Sequence, residues 1–378
     1  MIPYGRQWID EEDIQAVVDV LRSDWLTTGP VVKEFERSIA AKTGALHAVV
    51  FSSGTAALHA IMYGLGIGPG DEVIVPAMTF AATANVVVYQ GGIPIFADVN
   101  KEDLLLDASQ VVAKVNSRTK AIVAVDYAGQ PANYDALRQV ALNSSLFMIS
   151  DACHALGAEY KGVSVGSVAD ATAFSFHPVK HVTTGEGGAV CTNDPVMYER
   201  MKSFRNHGIT TDHKQREEAG SWYYEMTDLG YNYRLTDFQC ALGLSQLKKL
   251  DGWVARRRQI ADMYNTALAE IAGVEPLATS PDVAHSYHLY VLRINAEKPG
   301  VGRDYVFQQL REQGIGVNVH YIPVHLHPFY RKKYGTGPGL CPAAEKAYEE
   351  ILSLPMFPRM TDKDVQEVIT ALSKVLKR

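Results

Sequence analysis

Apolar side chains between Asp10 and Arg22 recur at helical spacing. Ile14, Val17, Val18 and Leu21 share one face and acids crowd the N-terminal end. A second amphipathic helix is expected over Val31–Gly44, closed by its glycine. His47–Phe51 reads as a short apolar strand. Ser52-Ser53-Gly54-Thr55 then opens an Ala- and Leu-rich helix, Ala56–Gly64, and Gly64–Asp71 reads as its C-cap and turn. From Glu72 short β-branched runs alternate with helical patterns. Strands are expected at Glu72–Pro76, Ile93–Val99, Ala121–Tyr127 and Leu146–Cys153. Helices are expected at Ala81–Gly91, Ala108–Val115 and Tyr134–Leu142. Such alternation predicts βαβ units and a mostly parallel central sheet flanked by helices. Two more strands, Ala171–Phe176 and Gly188–Thr192, bracket a Gly- and Thr-rich bend.

Past a helix at Met197–Arg205 the pattern weakens, and His207–Asp228 reads as a long loop. Thr236–Ile271 is expected to form one long or broken helix. A strand (His288–Ile294), a helix (Asp304–Gln313), a strand (Val317–His320), a Pro/His loop (Tyr321–Phe329) and helices at Cys341–Leu352 and Thr361–Lys377 follow. The expected division is a large α/β domain over residues 1–245 and a smaller C-terminal α+β domain over 246–378.

Composition narrows the class. A 378-residue chain suits two or three domains, and 47% apolar with 21% charged residues is ordinary for a globular protein. The net charge of −6 comes without a basic block, which argues against a nucleic-acid partner. The N-terminus turns acidic within ten residues, unlike a secretory signal, and no apolar run approaches a membrane span. Four scattered cysteines, Cys153, Cys191, Cys240 and Cys341, read as reduced thiols of a cytoplasmic protein. His320, His325 and His327 lack a metal-binding helical spacing and prolines interrupt them, so no metal is expected.

The candidate chemistry centres on Lys180, in the bend after Ala171–Phe176. A lone lysine on a loop is usually a solvated side chain, but this one has company. Asp151 closes an apolar strand, Ser175 lies five residues before Lys180, and Gly54 and Thr55 open a helix. Pyridoxal phosphate needs a lysine that bonds its aldehyde, a carboxylate for the pyridine nitrogen, a phosphate cup and ring contacts. Lys180 and Asp151 suit the first two. Gly54, Thr55 and Ser175 suit the cup, because a helix N-terminus favours an anion. Phe80, just past a strand, can stack on the ring, and His154 can bond the ring's phenolic oxygen. Simple N-capping and a core histidine are the plainer readings of Ser53–Thr55 and His154. The loop Ser23–Pro30, with its Trp and two Thr, reads equally as a ligand lip or a connector.

The runs FSSGTAAL, PAMTFAATAN, SDACHALG, SFHPVKHVTTGEGGAV, RNHGI, GYNYRLTDFQCALGLSQL and SLPMFP, in this order from Tyr4 to Val368, closely resemble the DegT/StrS family of nucleotide-sugar aminotransferases. The resemblance implies a fold-type-I, pyridoxal-phosphate-dependent transferase and a homodimer with shared active sites. It implies that Lys180 carries the cofactor and moves the proton, that Asp151 pairs with the pyridinium nitrogen, and that Ser175, Gly54 and Thr55 hold the phosphate. Asn232 would reach that phosphate from the other subunit. Two positions depart from the common pattern. His154 stands where most members have Gln, and Asp126-Tyr127-Ala128-Gly129 stands where many have His-Leu-Tyr-Gly.

VDYAG, DACHALGAEY and FSFHPVKHVTTGEGGAVCTN together resemble the branch that makes UDP-4-amino-4,6-dideoxy-N-acetyl-β-L-altrosamine on the way to pseudaminic acid. That likeness implies L-glutamate and a UDP-linked 4-keto sugar as substrates. It also implies a substrate lip made of Tyr4, Asp24, Trp25, Leu26 and Thr27 with Asn318, Val319, His320, Tyr321 and Ile322. No single arginine declares itself for the glutamate carboxylates, and Arg234 is only a candidate. A sibling aminotransferase for another keto sugar is the alternative. A sugar dehydratase of the same fold would carry His in place of Lys180, and a non-catalytic sugar-binding protein would not need the Lys–Asp–Ser set.

Overall fold

The computed structural model describes residues 1–211, 216, 220–294 and 301–376. A seven-stranded sheet carries the first half of the chain. Its strands are β1 (His47–Phe51), β2 (Glu72–Pro76), β3 (Ile93–Ala97), β4 (Thr119–Val125), β5 (Phe147–Asp151), β6 (Ala171–Ser175) and β7 (Gly188–Thr192). Their order across the sheet is β1-β7-β6-β5-β4-β2-β3. Within it, β3, β2, β4, β5 and β6 pair in parallel, while β7 runs antiparallel to both of its neighbours. Strands such as β2 are buried along their whole length, as a sheet covered on both faces requires. The mostly parallel, helix-flanked α/β architecture expected from the alternating pattern is the one observed.

Local chemistry explains the flanking helices. Asp10 and Asp13 form a reciprocal capping box at the start of Glu11–Leu21. Pro30 opens the next helix, Pro30–Thr43, and Gly44 closes it in the left-handed conformation. The Ser53 hydroxyl accepts from the Ala56 N–H at 3.1 Å and so caps Gly54–Gly64.

A second core gathers Ile260, Tyr264, Leu292, Leu310, Leu352 and Leu372, around a three-stranded antiparallel sheet of Val274–Pro276, Tyr290–Ile294 and Ile351–Leu354. Ile2 also lies in this core, and its backbone bonds to Gly314 and Gly316. The extreme N-terminus therefore packs with the C-terminal unit, although it was expected in the domain of residues 1–245.

Other expectations differ in detail. The Thr236–Ile271 stretch is two helices, Asp237–Leu247 and Leu250–Leu268, divided at Lys248-Lys249. The Lys249 amine turns inward at this break and lies 3.0 Å from the buried Asp13 carboxylate and 2.5 Å from Asp10. The expected helix Cys341–Leu352 stops at Glu350, and Ile351–Leu354 forms a buried strand against Tyr290–Ile294. Val317–His320 is not a regular strand and keeps a single bridge, Asn318 to Ser353. Part of the expected loop His207–Asp228 and Lys377, the last residue of the expected helix Thr361–Lys377, lie outside the described residues. Among the described residues, no helix is long and apolar enough to cross a membrane.

Candidate active site

The C-terminal ends of the parallel strands bring the candidate residues to one edge of the sheet, where α/β proteins usually bind ligands. Asp151 ends β5 and pairs in register with Ala173 of β6; Ser175 ends β6 opposite Gly188 of β7. Gly54 belongs to the same corner. A methyl group placed on it would meet the Ser175 side chain at 2.9 Å and Cys153 Sγ at 3.3 Å, while one on Gly188 would strike the Ser53 carbonyl oxygen at 2.5 Å. Only glycines allow the helix start and the two strand ends to approach this closely. The Gly54 and Thr55 N–H groups open the helix and have no acceptor within it, so they and the Ser175 hydroxyl form a cradle suited to a phosphate.

Asp151 is buried, with one carboxylate oxygen accepting from the Thr83 hydroxyl at 2.7 Å and the other from the Cys153 N–H at 3.3 Å. Thr83 is held in turn by Thr79 at 2.7 Å. Among the described residues no lysine, arginine or histidine forms an ion pair with Asp151. A buried carboxylate without a counter-ion favours a cation brought in by a ligand.

Lys180 follows β6 through a turn in which its N–H donates to the His177 carbonyl at 2.9 Å. The residue is half-buried, and its amine points inward to within 3.4 Å of His288 Nε2. Burial lowers the pKa of the Lys180 amine from 10.5 to about 8, although Cys153 and Asp151 pull the other way. We expect competitive labelling of the cofactor-free chain with an acylating reagent, followed by peptide mass spectrometry, to give Lys180 a midpoint near pH 8. Free base then accumulates above that pH. A midpoint near 10.5, shared with the surface lysines, would contradict the burial.

His154 Nε2 lies 3.0 Å from the Tyr321 hydroxyl, and its ring is 4.4 Å from that of His288. Its Nδ1 is buried without a partner among the described residues. Burial first, and then the charge of Lys180, push His154 and His288 well below the ordinary histidine range. The same causes, in the same order, lower His320 to about 4. The site therefore holds neutral imidazoles at physiological pH. Tyr321 also leans against Phe80, with ring centres 5.8 Å apart; Phe80 itself is exposed on the rim.

The expected lip divides. Tyr4 packs on His320 with ring centres 5.6 Å apart, and a methyl group on the adjacent Gly5 would touch Val179 at 3.5 Å. Tyr127 donates its hydroxyl to the His320 carbonyl, and Tyr321 reaches His154, so the 318–322 segment stands beside Lys180's neighbours. Residues 24–27 sit elsewhere within the protomer. Thr27 bridges to Thr236, the Leu26 carbonyl accepts from the Asp237 N–H at 3.0 Å, and Trp25 and Leu26 are exposed. Asn232 is exposed and bridges to Asn206. Arg234 donates to the Asn206 side chain at 2.7 Å. His325 Nε2 lies 2.8 Å from the Glu345 carboxylate.

Three neighbours of Asp151 and Lys180 escaped the sequence reading: Thr83, His288, and His181, whose ring lies 5.7 Å from that of His288. The run His285-Ser286-Tyr287-His288 was the available signal, with two histidines in a turn ahead of a strand.

With this geometry in place, the comparisons are specific. A model of the DegT/DnrJ/EryC1/StrS aminotransferase family matches residues 7–373. The chain belongs to this family. It is 43% identical to the spore coat polysaccharide biosynthesis protein SpsC of Bacillus subtilis, over 100% of this chain and 97% of that protein. Spr1654 from Streptococcus pneumoniae, assigned as a sugar aminotransferase, has a closely similar structure in its PMP-form. The TM-score is 0.94 at 36% identity, covering 100% of this chain and 99% of that one. Its PLP-form gives 0.92 at 35%, covering 100% and 98%. Helicobacter pylori PseC, an aminotransferase involved in the biosynthesis of pseudoaminic acid, gives 0.93 at 34%, covering 100% and 99%.

Proposed function

We propose that this protein is a pyridoxal-phosphate-dependent aminotransferase acting on a nucleotide-linked keto sugar, with L-glutamate as amino donor. The observation that carries the proposal is the inward-facing, low-pKa Lys180 amine beside a buried carboxylate, Asp151, that has no counter-ion. The residues present fit the cofactor. Ser175 with the Gly54 and Thr55 N–H groups would hold the phosphate, Asp151 would pair with the ring nitrogen, and Nδ1 of His154, without a partner among the described residues, would be available to the ring's oxygen. Phe80 and Tyr321 line the approach.

Bound there, pyridoxal phosphate supplies an electron sink that lets the amino acid's α-proton leave and its nitrogen be stored for the second substrate. Lys180 anchors the cofactor through its amine. With the cofactor bound, the free Lys180 amine would be the base that takes the donor's Cα proton and holds it for return. Asp151 stabilises the positive charge on the ring nitrogen throughout. The neutral histidines around Lys180 add no second cation that would compete for Asp151.

The finer reading is a C4 transaminase. It acts on UDP-2-acetamido-2,6-dideoxy-β-L-arabino-hex-4-ulose and gives UDP-4-amino-4,6-dideoxy-N-acetyl-β-L-altrosamine and 2-oxoglutarate, the pseudaminic acid route. His154, the VDYAG segment and the likeness to PseC support it. In this reading the protein is a cytoplasmic homodimer. Asn232 reaches the phosphate of the partner's site, and the 24–27 and 318–322 segments meet over the sugar nucleotide. The alternative is a sibling specificity for another nucleotide-linked keto sugar; the chain is 43% identical to SpsC, a spore coat polysaccharide biosynthesis protein, and 34% identical to PseC. A panel of UDP-, GDP- and dTDP-linked 3-keto and 4-keto sugars, each mixed with glutamate and the cofactor-loaded protein, separates the two by which amino sugar forms. Formation of 2-oxoglutarate with none of them would defeat the sugar assignment. No 2-oxoglutarate and no half-reaction with glutamate would defeat the transaminase reading itself.

A further inference from the structure

We propose that His288 is a positioning residue of this site, its Nε2 accepting a hydrogen bond from the Lys180 amine and holding that amine in line. The inference rests on the reading of Lys180 as the reactive base and adds a partner for it from the C-terminal half of the chain.

The geometry is direct. Lys180 Nζ and His288 Nε2 are 3.4 Å apart. An ammonium only donates, so Nε2 accepts and the imidazole hydrogen sits on Nδ1. The same tautomer also serves the neutral amine, which still has N–H groups to donate. His288 therefore orients Lys180 in both charge states without exchanging protons itself. Its Nδ1 is buried with no partner among the described residues. Buried polar atoms are normally paired, and a histidine kept for packing alone would be satisfied on both nitrogens.

The backbone around His288 is held from two sides. From the sheet side, the Ser286 hydroxyl donates to the Gly129 and His154 carbonyls, both at 3.2 Å, and the Leu289 N–H donates to the Ala128 carbonyl at 3.1 Å. From the other side stands Arg257, fully buried on the helix Leu250–Leu268. Its Nη1 donates to the carbonyls of Tyr287 (3.0 Å), His288 (3.3 Å) and Met356 (2.9 Å). Between the two, Tyr287 sits at φ 48°, a left-handed conformation that a tyrosine adopts only when its surroundings enforce it. Gly129 is equally constrained: at φ 101° it has no room for a methyl group, which would meet His288 N at 2.9 Å. The strained turn aims one imidazole at one amine.

Lys180 is faced by Asp151 and Cys153 from the end of β5 and by His288, with His154, His181 and His320 nearby and Arg257 behind His288. Burial holds His154, His181 and His288 neutral, so the bond from Lys180 to Nε2 is a contact between an ammonium and a neutral acceptor. Such a bond favours the protonated lysine, and losing it lowers the lysine's pKa further.

The test uses His288→Phe and His288→Asn, both of which lose the bond, and His288→Gln, whose amide oxygen can replace Nε2. Asparagine keeps a polar group but is too short to reach Lys180. Circular dichroism and melting verify the fold of each. In the cofactor-free full chain, the Lys180 labelling midpoint should fall by about one unit in His288→Phe and His288→Asn and stay near wild type in His288→Gln. In the loaded protein, kcat for the glutamate half-reaction should fall about tenfold or more in the first two at nearly unchanged KM, with most of it restored in the third. Wild-type kcat in folded His288→Phe or His288→Asn would overturn the proposal. So would a His288→Gln protein as impaired as His288→Phe, since the ring's packing would then be what matters. Failure of the underlying reading looks different: the wild-type chain itself would show no low Lys180 midpoint, and removal of Lys180 would leave turnover intact.

Discussion

Lys180→Ala should reduce transamination by at least about 10³-fold and abolish the covalently held, yellow form of the cofactor-loaded protein. The size follows from how much one amine does. Among the described residues it is the one lysine whose pKa is lowered, to about 8. At pH 7 a lysine with that pKa is roughly 10% free base, against about 0.03% for an ordinary one, so the net effect of its surroundings raises the reactive fraction roughly 300-fold. Alanine removes that base together with the covalent anchor. The fold should survive, because Lys180's backbone bond to His177 needs no side chain. Absorbance of the purified protein with ample cofactor, borohydride reduction with peptide mapping, and 2-oxoglutarate formation from glutamate each read the result. Yellow colour persisting in Lys180→Ala, or a reduced label on another lysine, would show that the bend at 177–185 is not the reactive centre. A colourless wild-type protein would favour a sugar-binding role.

What the chain revealed before folding was uneven, and the reasons are physical. Strands β1, β2 and β7 were legible to the residue, because short β-branched runs between turn residues have few other readings. Ile351–Leu354 was not. Its apolar residues continue the spacing of the helix before it, and only pairing with Tyr290–Ile294 makes it a strand. The break at Lys248-Lys249 was hidden for a similar reason: apolar residues such as Leu242, Leu247 and Leu250 keep helical spacing across it, and it is the buried Asp13, over 200 residues away, that draws Lys249 inward.

The site divides along the same line. Gly54, Asp151, Ser175 and Lys180 end or closely follow strands β1, β5 and β6, so local reading sufficed to nominate them. His288 reaches the same place from the other half of the chain, through a turn fixed by Gly129, Ser286 and Arg257. No periodicity announces a contact of that kind. Thr83 was missed because a threonine inside an Ala- and Val-rich helix reads as filler until its hydroxyl is seen on Asp151.

Asp151→Asn should separate catalysis from stability, lowering kcat by about 10²–10³ while leaving the cofactor-free protein at least as stable as wild type. The carboxylate is buried, yet only the Thr83 hydroxyl and the Cys153 N–H donate to it, and no cationic side chain among the described residues pairs with it. An unpaired buried charge disfavours the folded state, so a neutral amide of the same shape relieves that cost. Its oxygen can still accept from Thr83. With the cofactor bound the balance reverses, because the positive ring nitrogen is the missing counter-ion and an amide cannot hold its proton. Thermal melting of the cofactor-free and loaded forms of both proteins reads this directly. The cofactor should raise the melting temperature of wild type by more than that of Asp151→Asn, and the glutamate half-reaction should slow in the variant. A near-normal rate in Asp151→Asn would remove the electrostatic argument for Asp151 and leave it a hydrogen-bonding residue. An unstable cofactor-free variant would mean that the charge is compensated within the protein, and that the site does not depend on a ligand to neutralise it.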